Sequence, residues 1–209
     1  MMFRWLIALG LLLTGCAKME LSDSEYRAWI AEPDNGLSRE AQQDFLKVSI
    51  KYMPDDYVAL LDCKAARPAA DCLNRRKQEI IGQQYYQFRL ALNDPGETDL
   101  LKYGISSPTD YSYRVQYCSS HLQGDLELEE NGRRYPCKLL HFERTYGMAP
   151  YLSFLAVFDR SPEEQKALKA KKQKINDKTF YYNDQLFNLG TIQLSLSGSD
   201  LTALPRLKP

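Results

Sequence analysis

The stretch 151-YLSFLAVFD-159 is the most apolar of the strands that this 209-residue sequence predicts. Ser153 is the one polar residue before the closing Asp159, and aliphatic or aromatic side chains fill the other positions. A strand that is apolar on both faces needs cover on both sides. We therefore expect this stretch to lie at the centre of a sheet, with the other strands arranged around it.

The other predicted strands follow from alternation and turn signals. Apolar residues alternate with polar ones in 45–53 and 85–92, and 187–198 predicts the last strand. Asn131-Gly132 inside 126–147 is a strong type I′ hairpin signal. Helices with capping residues separate these segments. The pattern predicts an α+β fold, an antiparallel or mixed sheet of about six strands with helices packed mainly on one face.

The amino terminus carries the features of a secretory signal. Arg4 precedes the apolar run Trp5–Leu13, which at nine residues is too short to cross a bilayer. The next residues, Leu13-Thr14-Gly15-Cys16, resemble the lipobox of bacterial lipoproteins. This resemblance implies cleavage before Cys16 and acylation of its thiol and new amino group. Ala17 and Lys18 stand where an aspartate is associated with inner-membrane retention, so the expected site is the outer membrane.

This signal divides the chain into three predicted parts. Residues 1–15 are the signal peptide, 16–22 the lipidated tether, and 23–209 a single globular α+β domain. The membrane contact is made by the amino-terminal lipid, since two or more acyl chains hold a protein stably at a bilayer. The expected location is the cell envelope, facing the periplasm or the surface.

Four further cysteines are predicted to form disulfides. An even number of cysteines in an oxidising envelope favours bridges, and Cys63, Cys72, Cys118 and Cys137 allow three pairings. Closeness in sequence favours Cys63–Cys72 and Cys118–Cys137. A zinc site is the alternative, but the chain has no CxxC pair and no histidine at zinc-finger spacing from a cysteine pair.

Composition excludes several classes of function. The formal net charge is +0, so no long-range attraction to nucleic acid is expected. No P-loop, dinucleotide fingerprint, HExxH or nucleophile elbow occurs in the sequence. We therefore predict no cofactor, no metal and no nucleic-acid partner.

His141 and Glu143 are the best catalytic candidates. They lie two residues apart on a predicted strand, so they share a face. Together with His121 they could bind a metal or carry out acid–base chemistry. The alternative is a polar strand face with no catalytic role, and two histidines outside a motif favour that alternative.

Several segments resemble a group of uncharacterised lipoproteins of Bacteroidetes-type bacteria. They are 32-EPDNGL-37 with the strand after it, 52-YMPDDYVAL-60, 139-LLHFERTYGMAPYLSFLAVF-158 and 203-ALPRLKP-209. The resemblance spans most of the mature chain. It implies a lipoprotein address and a shared fold, and it carries no catalytic residues over to this sequence.

Three functions remain in view from the sequence. The first is a non-enzymatic binding or assembly-support role at the outer membrane, with an envelope protein as partner. The second is a periplasmic or surface hydrolase with a site near His141. The third is a glycan or small-ligand binder, because the chain's 14 tyrosines could supply an exposed aromatic surface.

Overall fold

An eight-stranded antiparallel sheet forms the body of the protein in a computed structural model that describes residues 19–63, 69–94, 99–144, 148–170 and 175–208. The strands in these ranges are β1 Glu20–Leu21, β2 Ser38–Gln43, β3 Leu46–Met53, β4 Gln83–Leu92, β5 Leu126–Glu130, β6 Arg133–Glu143, β7 Tyr151–Asp159, β8 Lys178–Asp184, β9 Gly190–Leu196 and β10 Arg206–Leu207. The α-helices are α1 Asp23–Ala31, α2 Asp55–Asp62, α3 Ala70–Ile80, α4 Pro108–Ser120, α5 Pro162–Lys169 and α6 Gly198–Thr202. The predicted α+β class is confirmed.

Strand β7 occupies the central place predicted for it. The strand order is β2-β3-β4-β7-β6-β5-β8-β9, so β4 and β6 flank β7. Phe154 of β7 pairs with Phe88 on one side and with Phe142 on the other. Asn131 and Gly132 have positive φ angles and form the tight turn between β5 and β6, as the sequence predicts.

The described sheet has two more strands than the six expected. Strand β2 reads SREAQQ and carries no apolar alternation, so it has no strand signal of its own. Strand β8 does alternate, since Phe180 and Tyr182 are buried and Thr179 and Tyr181 are partly exposed. Both are held by cross-strand pairing with stronger neighbours, β3 and β5.

The sheet curls until its two edges approach each other, which makes it nearly barrel-shaped. Residues of β2 contact residues of β9. The Gln43 side-chain amide donates to the Leu189 carbonyl, and Arg39 pairs with Asp200 at 3.2 Å. The inner face therefore encloses the core, and the outer face carries the alternate residues of each strand.

Aromatic rings fill the interior. Phe88 lies 5.5 Å from Phe154, 5.4 Å from Phe180 and 5.3 Å from Tyr182, measured between ring centroids. A second apolar cluster lies outside the sheet, where α2 and α3 cover part of β4 and β7. Its buried members are Val58, Ile80, Tyr85 and Val157.

The first described residues are tied to the last ones. Strands β1 and β10 pair in parallel, with Glu20 opposite Arg206. Helix α1 follows at once, and the backbone N–H of Ser22 donates to the Glu25 carboxylate at 2.9 Å. Cys16, the predicted lipidation site, lies outside the described residues. Every helix in the described ranges falls short of the length and apolarity needed to span a bilayer.

One of the two predicted disulfides forms. Cys63 at the end of α2 is bonded to Cys72 in α3. The prediction of a Cys118–Cys137 bond is wrong for this structure, because both thiols are free and buried. The Cys137 Sγ is turned towards β7 and donates to backbone carbonyls, including that of Val157 at 3.7 Å. Cys118 is packed in the apolar core instead of facing a second sulfur.

Candidate functional site

His141 and Glu143 lie together on the exposed outer face of β6, as their spacing predicts. His141 is opposite Leu155 of β7, and Glu143 is opposite Ser153. The Ser153 hydroxyl donates to the Glu143 carboxylate at 2.6 Å. The carboxylate is therefore held towards β7.

His121 is placed by a different element. It ends α4, and its ring stacks on Tyr117 with 5.9 Å between centroids and 13° between planes. No hydrogen bond or ion pair joins His121 to His141 or Glu143 in the described part of the chain. The described residues also include no group of three or more His, Cys, Asp or Glu side chains arranged to hold a metal ion.

The register of four strands extends the His141 surface across the sheet. One cross-strand row runs from Glu143 through Ser153 and Arg89 to Ser49. The next row runs from His141 through Leu155 and Gln87 to Lys51. We call these eight residues the outer face. Their side chains point away from the core because the alternate residues of each strand are buried.

Two cations on the outer face stand without acidic partners. Arg89 lies over the ring of Tyr151, with its Cζ 4.3 Å from the centroid. The Arg89 Nε is buried and has no hydrogen-bond acceptor among the residues that the structure describes. Burial and the nearby Arg89 charge together lower the pKa of Lys51. Within the described ranges, no carboxylate forms an ion pair with either side chain.

A similar arginine–tyrosine stack lies on the other half of the sheet, where carboxylates balance the charge of the arginine. Arg134 of β6 lies over Tyr181, with its Cζ 4.0 Å from the ring centroid. It also pairs with Glu127 at 2.8 Å and with Glu129 at 3.4 Å. Each arginine lies over a tyrosine ring of its own. Carboxylates balance the charge of Arg134, whereas no described carboxylate pairs with Arg89.

A charged network lies buried at one end of the sheet. The Lys178 Nζ is 2.6 Å from Glu130 and 2.5 Å from Glu164. The Arg160 guanidinium is 3.2 Å from Glu164 and binds both carboxylate oxygens of Asp55 at 2.8 and 2.9 Å. The side chains of Lys178, Glu130, Glu164 and Arg160 are all 0% exposed.

The pKa values of the two buried glutamates shift in opposite directions because their partners differ. Burial raises the pKa of Glu164, and Lys178 and Arg160 only partly offset it. Burial acts in the same direction on Glu130, but Lys178, Ser161 and Asn176 outweigh it and lower the pKa to about 2. The Ser161 hydroxyl and the Asn176 amide both donate to Glu130. This network therefore holds an ionised Glu130 in the interior.

The sequence contains a signal for this network that the prediction missed. Glu130 is in phase with the inward-facing Leu126 and Leu128 of β5. Lys178 is likewise in phase with the inward-facing Phe180 and Tyr182 of β8. A charged residue at an inward position needs a buried partner. The inward positions of Glu130 and Lys178 therefore each predict an ion pair.

A surface pocket of about 480 Å³ opens beside this network. Asn176 lines the pocket and also donates to the buried Glu130. Its other described lining residues are mostly polar: Glu129, Asn131, Gly132, Ile175, Asp177, Thr179, Gly198 and Ser199. The pocket suits a small polar ligand better than an apolar one.

Comparison with known proteins leaves the function open. No protein-family model matches the chain, and no curated protein matches it either. One similar solved structure is described as a novel protein of unknown function from Burkholderia pseudomallei K96243. It has a TM-score of 0.41 and 8% sequence identity, and the match covers 86% of this chain and 87% of that one.

Proposed function

We propose that the protein is a lipid-anchored component of the bacterial cell envelope with a non-enzymatic binding or assembly-support role. The observation that carries this proposal is the Leu13-Thr14-Gly15-Cys16 sequence shortly before the first strand, at Glu20. Glu20 follows Cys16 by four positions, with three residues between them. At ~3.5 Å per extended residue, the body stands within about 14 Å of the acylated cysteine. A body held this close to the lipid is positioned to meet other envelope proteins.

The disulfide supports an envelope location. Cys63 follows α2 and Cys72 lies in the first turn of α3, with a sequence separation of 9. Structural disulfides persist in the periplasm and on the cell surface, whereas cytosolic reductants keep most thiols reduced. The bond therefore fits a chain that is exported before it folds.

The outer face supports a binding role. It offers polar and charged side chains from β3, β4 and β6 on one surface, including Lys51, Gln87 and His141. Contacts spread over several strands suit recognition of a partner, because the backbone there is already ordered before binding.

Acylation of Cys16 is the first test. Cells grown with labelled palmitate should incorporate label into the wild-type chain and not into Cys16→Ser. Cys118→Ser is the matched control, since it removes a buried thiol and should keep the label. The expected result is a labelled protein in the outer-membrane fraction. Equal labelling of wild type and Cys16→Ser, or no label in either, would contradict the anchor.

The binding role is tested by what the anchored protein carries with it. Gentle extraction from its own envelope, followed by mass spectrometry, should recover an envelope protein in fixed stoichiometry. The Cys16→Ser chain should recover less of this partner because it is not held at the membrane. A wild-type chain that elutes alone in repeated preparations would argue against an assembly role.

Binding of a small polar ligand is a second candidate function, favoured by the pocket beside Asn131 and Asn176. A ligand that binds only the native state raises the melting temperature. A sugar panel should therefore give a shift in wild type that Asn131→Ala reduces. Shifts of the same size in both proteins would place the ligand elsewhere.

A further inference from the structure

We propose that Lys51 and Arg89 form a binding site for an oxyanion, a phosphate group carried by a small molecule or by a lipid headgroup. This site is independent of the lipid anchor, because it depends only on the outer face of β3 and β4. Two positive charges on this face have no carboxylate partner in the described part of the protein.

The register places these charges next to each other. Arg89 is opposite Ser49, and Lys51 is two residues further along the same strand as Ser49. Diagonal neighbours of this kind are within reach of long side chains, and like charges there repel. No carboxylate in the described ranges pairs with either cation, and Glu143, in the same row as Arg89, accepts from Ser153. A bound oxyanion would replace the repulsion with two attractions.

The Arg89 guanidinium is prepared for such a ligand. The Tyr151 ring lies against one side of it, 4.3 Å from the Cζ, and its buried Nε has no acceptor among the described residues. A buried donor without a partner costs free energy, so an acceptor brought by a ligand is favoured. A planar guanidinium can give two parallel hydrogen bonds to a phosphate.

The surroundings of the two cations favour phosphate over a single carboxylate. Lys51 adds a second point charge, and the Ser49 hydroxyl and the Gln87 amide stand beside Arg89 and Lys51 in their rows. Together they present donors from β3 and β4 to one ligand. A phosphate group has enough oxygen atoms to accept from an arginine, a lysine and a hydroxyl at once.

Arg134 provides the matched control. It makes the same kind of ring contact, with Tyr181 at 4.0 Å, yet Glu127 and Glu129 neutralise it. Arg134→Gln and Arg89→Gln remove the same charge from the same type of stack. Only Arg89→Gln should remove an oxyanion site.

The test uses the mature chain in a non-ionic detergent and a phosphate-free buffer, with ionic strength held constant by chloride. Inorganic phosphate and a water-soluble six-carbon phosphatidylglycerol are titrated separately by calorimetry. Saturable binding of at least one probe is expected. Arg89→Gln and Lys51→Gln should each weaken it about tenfold or more, and Arg134→Gln should leave it unchanged. Tighter binding of phosphatidylglycerol would identify a lipid headgroup, whereas tighter binding of phosphate would identify a free anion.

Two further measurements keep the proposal open to refutation. Arg89→Lys keeps the charge and loses the planar fork, so it should also weaken binding if the fork matters. In the ligand-free chain, Lys51→Gln should raise the melting temperature because it removes the repulsion from Arg89. The proposal is overturned if neither probe binds saturably, if Arg134→Gln weakens binding as much as Arg89→Gln, or if Lys51→Gln lowers the ligand-free melting temperature.

Discussion

Replacing Lys178 with methionine should destabilise the protein by about 3–5 kcal/mol, the usual cost of breaking a buried ion pair from one side. Lys178 lies between Glu130 at 2.6 Å and Glu164 at 2.5 Å, and all three side chains are fully buried. Methionine has a similar length, so the volume is nearly kept and the main loss is the positive charge. Two carboxylates would then share the interior with Arg160 as the one remaining cation of the network.

Urea unfolding followed by tryptophan fluorescence measures this loss at pH 7.5, and calorimetry should show a melting temperature lower by roughly 6–20 °C for a chain of this size. Lys138→Met is the control, because Lys138 pairs with Asp159 at 2.8 Å with both side chains more than half exposed. Such a pair contributes no more than about 1 kcal/mol. A Lys178→Met chain as stable as the Lys138→Met chain would refute the reasoning.

The pH dependence gives the same prediction a second test. In wild type the pKa of Glu130 is about 2, below its ordinary value of 4.5, so its contribution is present above pH 4.5 and is lost as the pH falls towards 2. Without Lys178, burial raises the folded-state pKa of both Glu130 and Glu164, so the variant gains stability as it takes up protons. The deficit of Lys178→Met should therefore shrink between pH 7.5 and pH 5. A deficit that stays constant or grows would contradict this account.

Three other predictions concern the cysteines and one glycine. Replacing Cys63 and Cys72 with serines should lower the free energy of unfolding in urea by about 2–3 kcal/mol, as the chain-entropy relation gives for a sequence separation of 9. No change would mean that the native state gains nothing from the bond. Burial raises the pKa of Cys118 to about 12 and that of Cys137 to about 11. Neither thiol should therefore react with a thiol reagent in the native protein at pH 8, and both should react in denaturant. A lack of reaction in denaturant would indicate that the two cysteines form a disulfide. Gly198→Ala should cost about 1–3 kcal/mol in urea unfolding, because the new Cβ would clash with the backbone carbonyl oxygen of Ile175. Gly124→Ala has open space around it and serves as the control.

Local signals in the sequence predicted the elements that carry strong patterns of their own. The apolar run of β7 predicts its central place, and Asn131-Gly132 predicts the β5–β6 turn, because both follow from backbone and burial preferences over a few residues. Strand β2 lacks such a pattern. Its polar residues form a strand because they pair with the free edge of β3. This pairing depends on the tertiary structure and leaves no pattern within β2 itself.

The candidate site likewise has a part that the sequence predicts and a part that depends on the tertiary structure. The spacing of His141 and Glu143 predicts their common face, because it is a property of one strand. The closeness of Arg89 and Lys51 depends on the register between β3 and β4, which single-strand patterns do not determine. The free Cys118 and Cys137 show the same limit, since closeness in sequence says little about how two side chains point.

The contact between β2 and β9 also affects how molecules of the protein can associate at high local concentration. An open edge strand presents a row of unpaired N–H and C=O groups, to which a strand of another molecule can add. Here β2 and β9 shield each other where they meet. The Gln43 side chain reaches the Leu189 carbonyl just before β9, and Arg39 reaches Asp200 of α6. Molecules at high local concentration find less free strand edge on the eight-stranded sheet, so its shape guards against growth into cross-β aggregates.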